Sequence, residues 1–309
     1  MTGGLFTFGE AMGLVAADGV GPLAYARSFS FGIGGAESNV AIGVARLGGR
    51  STWLGRVGPD ATGALIGRRL TDAGVRALTI PDDMFTGLMV RYRRSGEFMH
   101  VDYHRAGSAG SRLTPHDIPG VELREAGIVH VTGITPALSE TCRAAVFQSV
   151  ETALAAGVPV SVDVNYRSKL WSRFDAAPVL RDLVSMADIV FAGPEEAALF
   201  VDGDDPLGGL AKLGPTEVIV KDGGRGCVAQ INGVRHEVPA LPVTVIDPVG
   251  AGDAFVAGYL ADRLAGAAAD QCLRTAIAAG AFAVTVPGDC EGLPDRAELA
   301  ALTGGDISR

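Results

Sequence analysis

Two glycines and an aspartate lie close together in the segment D-P-V-G-A-G-D at residues 247–253. Gly250 and Gly252 allow a tight backbone turn that leaves N–H groups uncovered. A β-branched apolar run at residues 243–246 precedes the turn, and apolar residues with helical spacing follow it over residues 255–264, which predicts a strand, a glycine turn and a helix. The first turn of that helix would direct unpaired N–H groups and the positive end of the helix dipole at one point. The segment therefore predicts an anion-binding site.

Asp253 adds a carboxylate to this anion-binding site. An acid at a helix start can simply cap the helix, but a cap alone would not require two glycines around it. Phosphoryl transfer to a hydroxyl group needs both features, because N–H groups stabilise the negative charge while a carboxylate accepts the hydroxyl proton. The segment thus predicts phosphoryl transfer with Asp253 as the catalytic base.

The composition limits the remaining possibilities. The chain has 309 residues and is 48% hydrophobic, which is enough for one large α/β core and a small appended lobe. Its net charge of −9 argues against nucleic acid or an anionic membrane as a partner, and no segment approaches membrane length. The four cysteines form no C-x-x-C pair, which argues against structural zinc and favours a reducing compartment. We therefore expect a cytoplasmic protein.

Two common phosphate-binding loops are absent from the sequence. None of the three lysines follows a glycine, so there is no G-x-x-x-x-G-K-[ST] loop, and G-x-G-x-x-G does not occur. A nucleotide must therefore be bound by another arrangement of residues.

Apolar runs and helical patterns alternate along the chain. Strands are predicted at residues 5–9, 52–57, 127–132, 158–164, 188–192 and 217–221, and helices at 40–47, 62–72, 139–156, 178–186 and 194–200. This alternation predicts an α/β fold with a parallel sheet, helices on both faces and ligands at the carboxyl ends of the strands. Residues 12–33 are interrupted by glycines and a proline and carry alternating aromatic residues at Phe29 and Phe31, which predicts a small β-rich excursion. Residues 86–106 alternate apolar and charged side chains around a turn at Ser95-Gly96, and the two segments together predict a small β lid.

The segment at residues 247–253 resembles the C-terminal signature D-T-x-G-A-G-D of the ribokinase (PfkB) family of sugar kinases, with Pro248 where many members have threonine. Residues 55–63 resemble the N-terminal signature G-x-V-G-x-D-x-x-G, in which Asp60 is expected to cap a helix. The resemblance implies a ribokinase-like fold, with residues 1–309 as a single kinase domain and with ATP and Mg²⁺ as cofactors. It also implies an anion hole that includes Ala251, whose neighbours are Gly250 and Gly252.

Several other stretches resemble the 2-keto-3-deoxygluconate kinases of that family: G-I-T-P-A-L-S at 133–139, D-V-N-Y-R at 163–167 and G-D-C-E-G at 288–292. A sugar acid benefits from guanidinium groups, and the resemblance implies that Arg105 and Arg167 bind its carboxylate side. Taken alone, Arg105 would be a surface arginine, and Arg167 could instead contact ATP phosphates. The substrate residues that the resemblance implies are Gly34, Gly35, Asn39, Met89, Tyr103, Arg105, Ile134, Arg167, Asp253 and Asp289. Met89 stands where some of these kinases carry tyrosine.

The nucleotide side is predicted around a lysine at a strand end. Lys221 precedes a glycine turn, although an ordinary exposed lysine is the alternative interpretation. The family segment N-x-x-E, which arranges Mg²⁺ through water, appears as Gly193 to Glu196, so the glutamate matches and the asparagine does not. Mg²⁺ is expected to arrive with the nucleotide. The implied cofactor residues are Asn165, Arg167, Gly193, Lys221, Gly223, Gly226, Gly250 and Gly252, with Glu196 as an indirect metal ligand.

The sequence therefore predicts an ATP-dependent kinase for the primary hydroxyl of 2-keto-3-deoxygluconate. Two alternatives remain open: another PfkB sugar kinase, such as a fructokinase or ribokinase-like enzyme, and a sugar-acid-binding module without catalysis. A homo-oligomer is expected because exposed lid faces often form dimer contacts.

Overall fold

The computed structural model describes residues 3–95, 98–201, 203 and 205–304. The strands are β1 Leu5–Phe8, β2 Met12–Val20, β3 Phe29–Gly34, β4 Ser51–Val57, β5 Arg76–Pro81, β6 Leu88–Arg93, β7 Met99–His104, β8 Ile128–Thr132, β9 Val160–Asp163, β10 Ile189–Ala192, β11 Glu217–Lys221, β12 Cys227–Ile231 and β13 Val234–Val238. The helices are α1 Ala36–Arg46, α2 Ala61–Asp72, α3 Gly120–Glu125, α4 Thr135–Leu138, α5 Glu140–Ala155, α6 Arg173–Ser185, α7 Pro194–Ala197, α8 Pro206–Ala211, α9 Ala251–Leu264, α10 Ala269–Ala283 and α11 Arg296–Gly304.

Nine strands form the main sheet in the order β13-β12-β11-β10-β9-β8-β1-β4-β5. The strands from β11 to β5 in this order pair in parallel, while β12 and β13 extend the sheet as antiparallel strands. Successive side chains enter different cores, since Leu5 packs with α1, α9 and α10 whereas Phe6 packs on the opposite face with α5 and α6. The predicted parallel sheet with helices on both faces is therefore confirmed.

The β lid is a separate four-stranded sheet in the order β3-β2-β6-β7. Strands β2 and β6 pair in parallel at its centre, and each forms an antiparallel pair with its outer neighbour. Met12, Leu14 and Met89 form a small buried cluster on this sheet. The lid is thus built from the two segments predicted for it, although Gly96 of the predicted turn lies outside the described residues.

Two local predictions are wrong. Residues 243–246 form no strand, because the N–H groups of Ile246 and Asp247 donate to the carbonyl of Val284 at 2.7 and 3.1 Å instead of joining the sheet. Val245 and Ile246 are 60% and 47% exposed, so their β-branched side chains do not mark a buried strand. The helix predicted at 194–200 ends at Ala197.

The predicted helix caps are confirmed. Asp60 accepts a hydrogen bond from the N–H of Gly63 at 2.8 Å, and Ser139 accepts one from Cys142 at 3.1 Å. In the described part of the chain, none of the helices is long and apolar enough to cross a membrane. The assignment of residues 1–309 to one domain stays a prediction, and its two ends lie outside the described residues.

Candidate active site

A cavity of about 1260 Å³ lies between the carboxyl ends of the central strands and the lid. Its lining brings together side chains from β7 in the lid, from the loop after β9 and from the start of α9. The predicted site residues on its wall are Gly35, Asn39, Met89, Tyr103, Arg105, Ile134, Asn165, Arg167, Glu196, Lys221, Gly250, Gly252, Asp253 and Asp289.

The glycine turn starts α9 at the cavity wall. Gly250 is the N-cap in the left-handed conformation, with φ of 77°, and a Cβ there would overlap the carbonyl oxygen of Asp289. No side chain caps this end of α9 within the described residues, so its first N–H groups stay available for a ligand. A Cβ on Gly252 would lie 3.7 Å from the ammonium nitrogen of Lys221, which places a positive charge beside these N–H groups. The turn is therefore suited to an anion.

Two carboxylates share one amide beside this turn. Asn39 Nδ2 donates to Asp253 Oδ2 at 2.8 Å and to Asp289 Oδ1 at 2.9 Å. Burial raises the pKa of Asp253 to about 6, although the Asn39 hydrogen bond opposes the rise. Burial and the charge of Asp253 raise the pKa of Asp289 to about 7. Asp253 is thus mostly ionised at neutral pH but a stronger base than an ordinary aspartate.

Glu37 is a buried carboxyl on the cavity wall that sequence analysis missed. Its Oε1 accepts hydrogen bonds from the hydroxyls of Thr132 at 2.7 Å and Thr135 at 2.6 Å. Burial raises the pKa of Glu37 despite these two bonds. Glu37 lies two residues before Asn39, at the start of a helix that carries a predicted ligand residue, and this position could have identified it as a candidate site residue.

Arg105 is bound within the protein rather than at its surface. Its guanidinium forms an ion pair with Glu10 and lies 5.5 Å from the ring centre of Tyr103. Ser108 fixes the other oxygen of Glu10 with a 2.6 Å hydrogen bond. Sequence analysis missed Glu10, although its place directly after the first strand put it at the edge where ligands bind.

Arg167 has a different environment. It is exposed at the cavity, and its guanidinium has no hydrogen bond or ion pair with any other described residue. Its charge lies close enough to Asp253 to oppose the rise of that carboxyl's pKa. The two predicted arginines therefore line the same cavity, one already paired and one available to a ligand.

Lys221 forms a buried ion pair on the nucleotide side of the cavity. Its Nζ lies 2.7 Å from Asp163 Oδ2, and the two side chains are 18% and 3% exposed. Burial opposes the charge of Lys221, but Asp163 and Glu196 outweigh it and raise the pKa of the lysine. Nearby Asn165 adopts a φ of 38°, a left-handed conformation that asparagine tolerates.

The described residues provide no preformed metal cluster of His, Cys, Asp or Glu side chains. Both oxygens of Glu196 accept backbone N–H groups, from Tyr166 at 3.0 Å and Gly193 at 2.7 Å. Glu196 and Asp163 both line the cavity with oxygen atoms, the donor type that Mg²⁺ binds directly or through water. These residues fit an ion that enters with phosphate groups and keeps most of its waters.

Five predicted residues lie off the cavity wall: Gly34, Ala251, Gly193, Gly223 and Gly226. Gly34 stands directly behind the wall, since a Cβ there would overlap Asp289 and Met89. Ala251 is the first residue of α9 and Gly193 caps α7. Gly223 and Gly226 belong to the turn between β11 and β12, where a Cβ on Gly226 would overlap the carbonyl of Val238. That packing accounts for Gly226 without a ligand.

The parallel sheet, the β lid and the anion turn with its carboxylate together define a carbohydrate kinase with a ribokinase-like fold. Residues 4–296 match the model of the pfkB family of carbohydrate kinases, and the chain belongs to that family.

Two similar relatives have names that state different sugars. The chain is 36% identical to a 2-dehydro-3-deoxygluconokinase of Bacillus subtilis (strain 168), covering 96% of this chain and 94% of that protein. It is 35% identical to a fructokinase of Klebsiella pneumoniae, covering 97% of this chain and 99% of that protein.

A similar solved structure is that of a putative ribokinase II from E. coli in complex with ATP and Mg²⁺. It matches with a TM-score of 0.90 and 26% identity, covering 98% of this chain and 100% of that chain. The predicted ribokinase-like fold is therefore confirmed.

Proposed function

We propose that the protein transfers the γ-phosphoryl group of ATP to the primary hydroxyl of 2-keto-3-deoxygluconate. The observation that supports this most is the pairing, in one cavity, of a carboxylate at a helix N-terminus with two guanidinium groups. Asp253 faces the glycine turn, while Arg105 and Arg167 line the same cavity. The first feature suits transfer to a hydroxyl, and the second suits an acidic acceptor.

Asp253 acts as the general base. Its pKa of about 6 is still below neutral pH, so the carboxyl is mostly ionised, and the raised value makes it a stronger base for the hydroxyl proton as the new P–O bond forms. Asn39 orients the carboxylate through the 2.8 Å hydrogen bond, and Asp289, on the same amide, accepts a hydrogen bond from a sugar hydroxyl. Replacing a general base typically lowers the rate of the catalysed step about 10²–10⁴-fold.

The N–H groups from Gly250 to Asp253 stabilise the charge of the transferring phosphoryl group. Lys221 adds an ammonium beside Gly252 and is itself held by Asp163. Mg²⁺, bound with the nucleotide near Glu196, would neutralise phosphate charge. The lid covers the acceptor and excludes water, which would otherwise compete as acceptor.

The acid group of the sugar is bound by the arginines. The guanidinium of Arg167 has no hydrogen-bond or ion-pair partner among the described residues, so all of its N–H groups remain available to a ligand. Arg105 lines the same cavity with its side chain 11% exposed, so the guanidinium that pairs with Glu10 can also reach a carboxylate oxygen. Met89 adds only apolar surface to the lid side and offers no hydrogen bond to the carboxylate.

A fructokinase-like activity is the second candidate. It would use the same base and turn, and Arg105 is already neutralised by Glu10, as a site for a neutral sugar would tolerate. The homo-oligomer and the cytoplasmic location stay predictions. Each of the four cysteines is free and buried.

The test is ADP release with Mg-ATP and a panel of 2-keto-3-deoxygluconate, 2-keto-gluconate, fructose and ribose. We expect the keto-deoxy acid to give the highest kcat/KM. Arg167→Ala should raise its KM about 10-fold to 100-fold, the worth of a charge-assisted hydrogen bond. Arg181→Ala, an exposed arginine on α6, is the matched control and should change nothing. Preference for a neutral sugar would reject the acid substrate but keep Asp253 as the base.

A further inference from the structure

Arg91 belongs to the lid but is bonded to the main body of the protein. It lies on β6, and its Nη2 is 3.2 Å from Asp247 Oδ2 while its Nη1 donates to the carbonyl of Gly288 at 3.1 Å. The side chains of Arg91 and Asp247 are 8% and 3% exposed. This is a buried ion pair between the lid and the first residue of the D-P-V-G-A-G-D segment.

Asp247 connects three parts of the site. Its Oδ1 accepts the N–H of Val249 in the glycine turn at 3.2 Å, and its Oδ2 accepts the N–H of Gly288 at 3.2 Å. Gly288 directly precedes Asp289, one of the two carboxylates that share the Asn39 amide. A single carboxylate therefore joins the lid arginine, the anion turn and the Asp289 segment.

The lid also contacts the residue that directly precedes the D-P-V-G-A-G-D segment. Arg93, two residues further along β6, donates to the carbonyl of Ile246 at 2.8 Å. The charge of Arg91 also reaches Asp289, where it opposes the rise in pKa that burial and Asp253 cause. Strand β6 thus contacts both the start of the glycine-turn segment and the segment that carries Asp289.

We propose that Arg91 is a positioning residue for phosphoryl transfer, which holds the anion turn and Asp289 in register with the lid. Removing Arg91 leaves the buried Asp247 carboxylate without its cation, so the turn loses one of the bonds that fix it. The N–H groups of an anion hole are effective only at well-defined positions, and a displacement of 1 Å can cost about 100-fold in rate. The proposal rests on the kinase activity of the proposed function and not on the identity of its sugar.

The alternative is that the ion pair only stabilises the fold. Arg91→Met keeps most of the length of the side chain but removes its charge, and Arg91→Met with Asp247→Asn removes both charges and the unpaired carboxylate. Asp247→Asn alone is measured beside them, because asparagine can accept only one of the two N–H groups that Asp247 binds. A purely structural pair predicts that the double variant regains both stability and turnover. A positioning role predicts that it regains stability without turnover. Arg94→Met, an exposed arginine of the lid, is the matched control.

The experiment measures kcat and KM by ADP release, using the sugar that the wild-type protein phosphorylates fastest, together with thermal unfolding of each variant. We expect kcat to fall about 10-fold to 100-fold in Arg91→Met and in the double variant, with both KM values within threefold of wild type. A kcat within threefold of wild type in the double variant would overturn the proposal. If Arg91→Met does not fold, the double variant decides by this criterion. A wild type that prefers a neutral sugar would reject only the acid substrate.

Discussion

Replacing Asp253 with asparagine should abolish turnover and stabilise the fold at the same time. The carboxyl has a pKa of about 6 in the folded protein against an ordinary value of 3.8. A carboxyl whose pKa is raised by folding holds its proton more tightly in the folded state, so stability is lost as the pH rises from about 4 through about 6. Asparagine keeps an oxygen for the Asn39 hydrogen bond and removes the titration. The variant should therefore gain stability at neutral pH.

The expected gain follows from the two pKa values. The difference in free energy of unfolding between variant and wild type should be about 0.5 kcal/mol at pH 4 and about 3 kcal/mol at pH 7. For a protein of this size that corresponds to a rise in Tm of about 5 °C at pH 7. Asp289 adds to the effect in the same direction, because the charge of Asp253 contributes to its raised pKa. Turnover should fall about 10²–10⁴-fold with the loss of the base.

The assay compares urea unfolding at pH 4 and pH 7 with kcat for ADP release. Asp262→Asn is the matched control on the same helix, since Asp262 is buried but paired with Arg296 at 2.6 Å, and its loss should lower stability. An Asp253→Asn variant no more stable than wild type at pH 7 would refute the raised pKa. A variant with nearly full kcat would refute the base. The two results are independent.

Two further predictions concern the same cavity. The pH profile of kcat/KM should fall with a slope of one below about pH 6, because Asp253 must be ionised to accept the proton; a flat profile between pH 5 and pH 7 would contradict this. Lys221→Met should lower the free energy of unfolding by about 3–5 kcal/mol, because the buried Asp163 carboxylate loses its cation, and adding Asp163→Asn should restore most of it. Urea unfolding measures both Lys221 variants, and equal stability of wild type and Lys221→Met would show that the ion pair is not important.

The sequence predicted the sheet, the lid and the anion turn because each has a local pattern. Alternation, helical spacing and glycines at a helix start are all visible over ten to twenty residues. The run at 243–246 failed because β-branched residues favour extended backbone but do not determine a sheet partner, and here the backbone bonds go to the end of α10.

The contacts that define the site could not be predicted from such patterns. Asn39 reaches Asp253 across 214 positions and Asp289 across 250, and spacing carries no information about which carboxylates share an amide. The Glu10 and Arg105 ion pair is of the same kind. The packing of α1 against α9 brings Asn39 to Asp253, and the packing of the lid on the sheet brings Arg105 to Glu10. Both are properties of the whole fold.

Strand β3 of the lid and helix α1 are separated by one residue. Strand β3 ends at Gly34 and α1 begins at Ala36. Met89 and Asn39 on the cavity wall therefore come from the first third of the chain, whereas Ile134, Arg167 and Asp289 come from later segments. The base, the anion turn and the Lys221 ion pair all come from residues after 160. Substitutions in β2 or β6 can therefore reshape the lid wall of the cavity without altering Asp253 or the glycine turn. We therefore expect substitutions in the lid to change the preferred sugar while the base and the glycine turn stay the same.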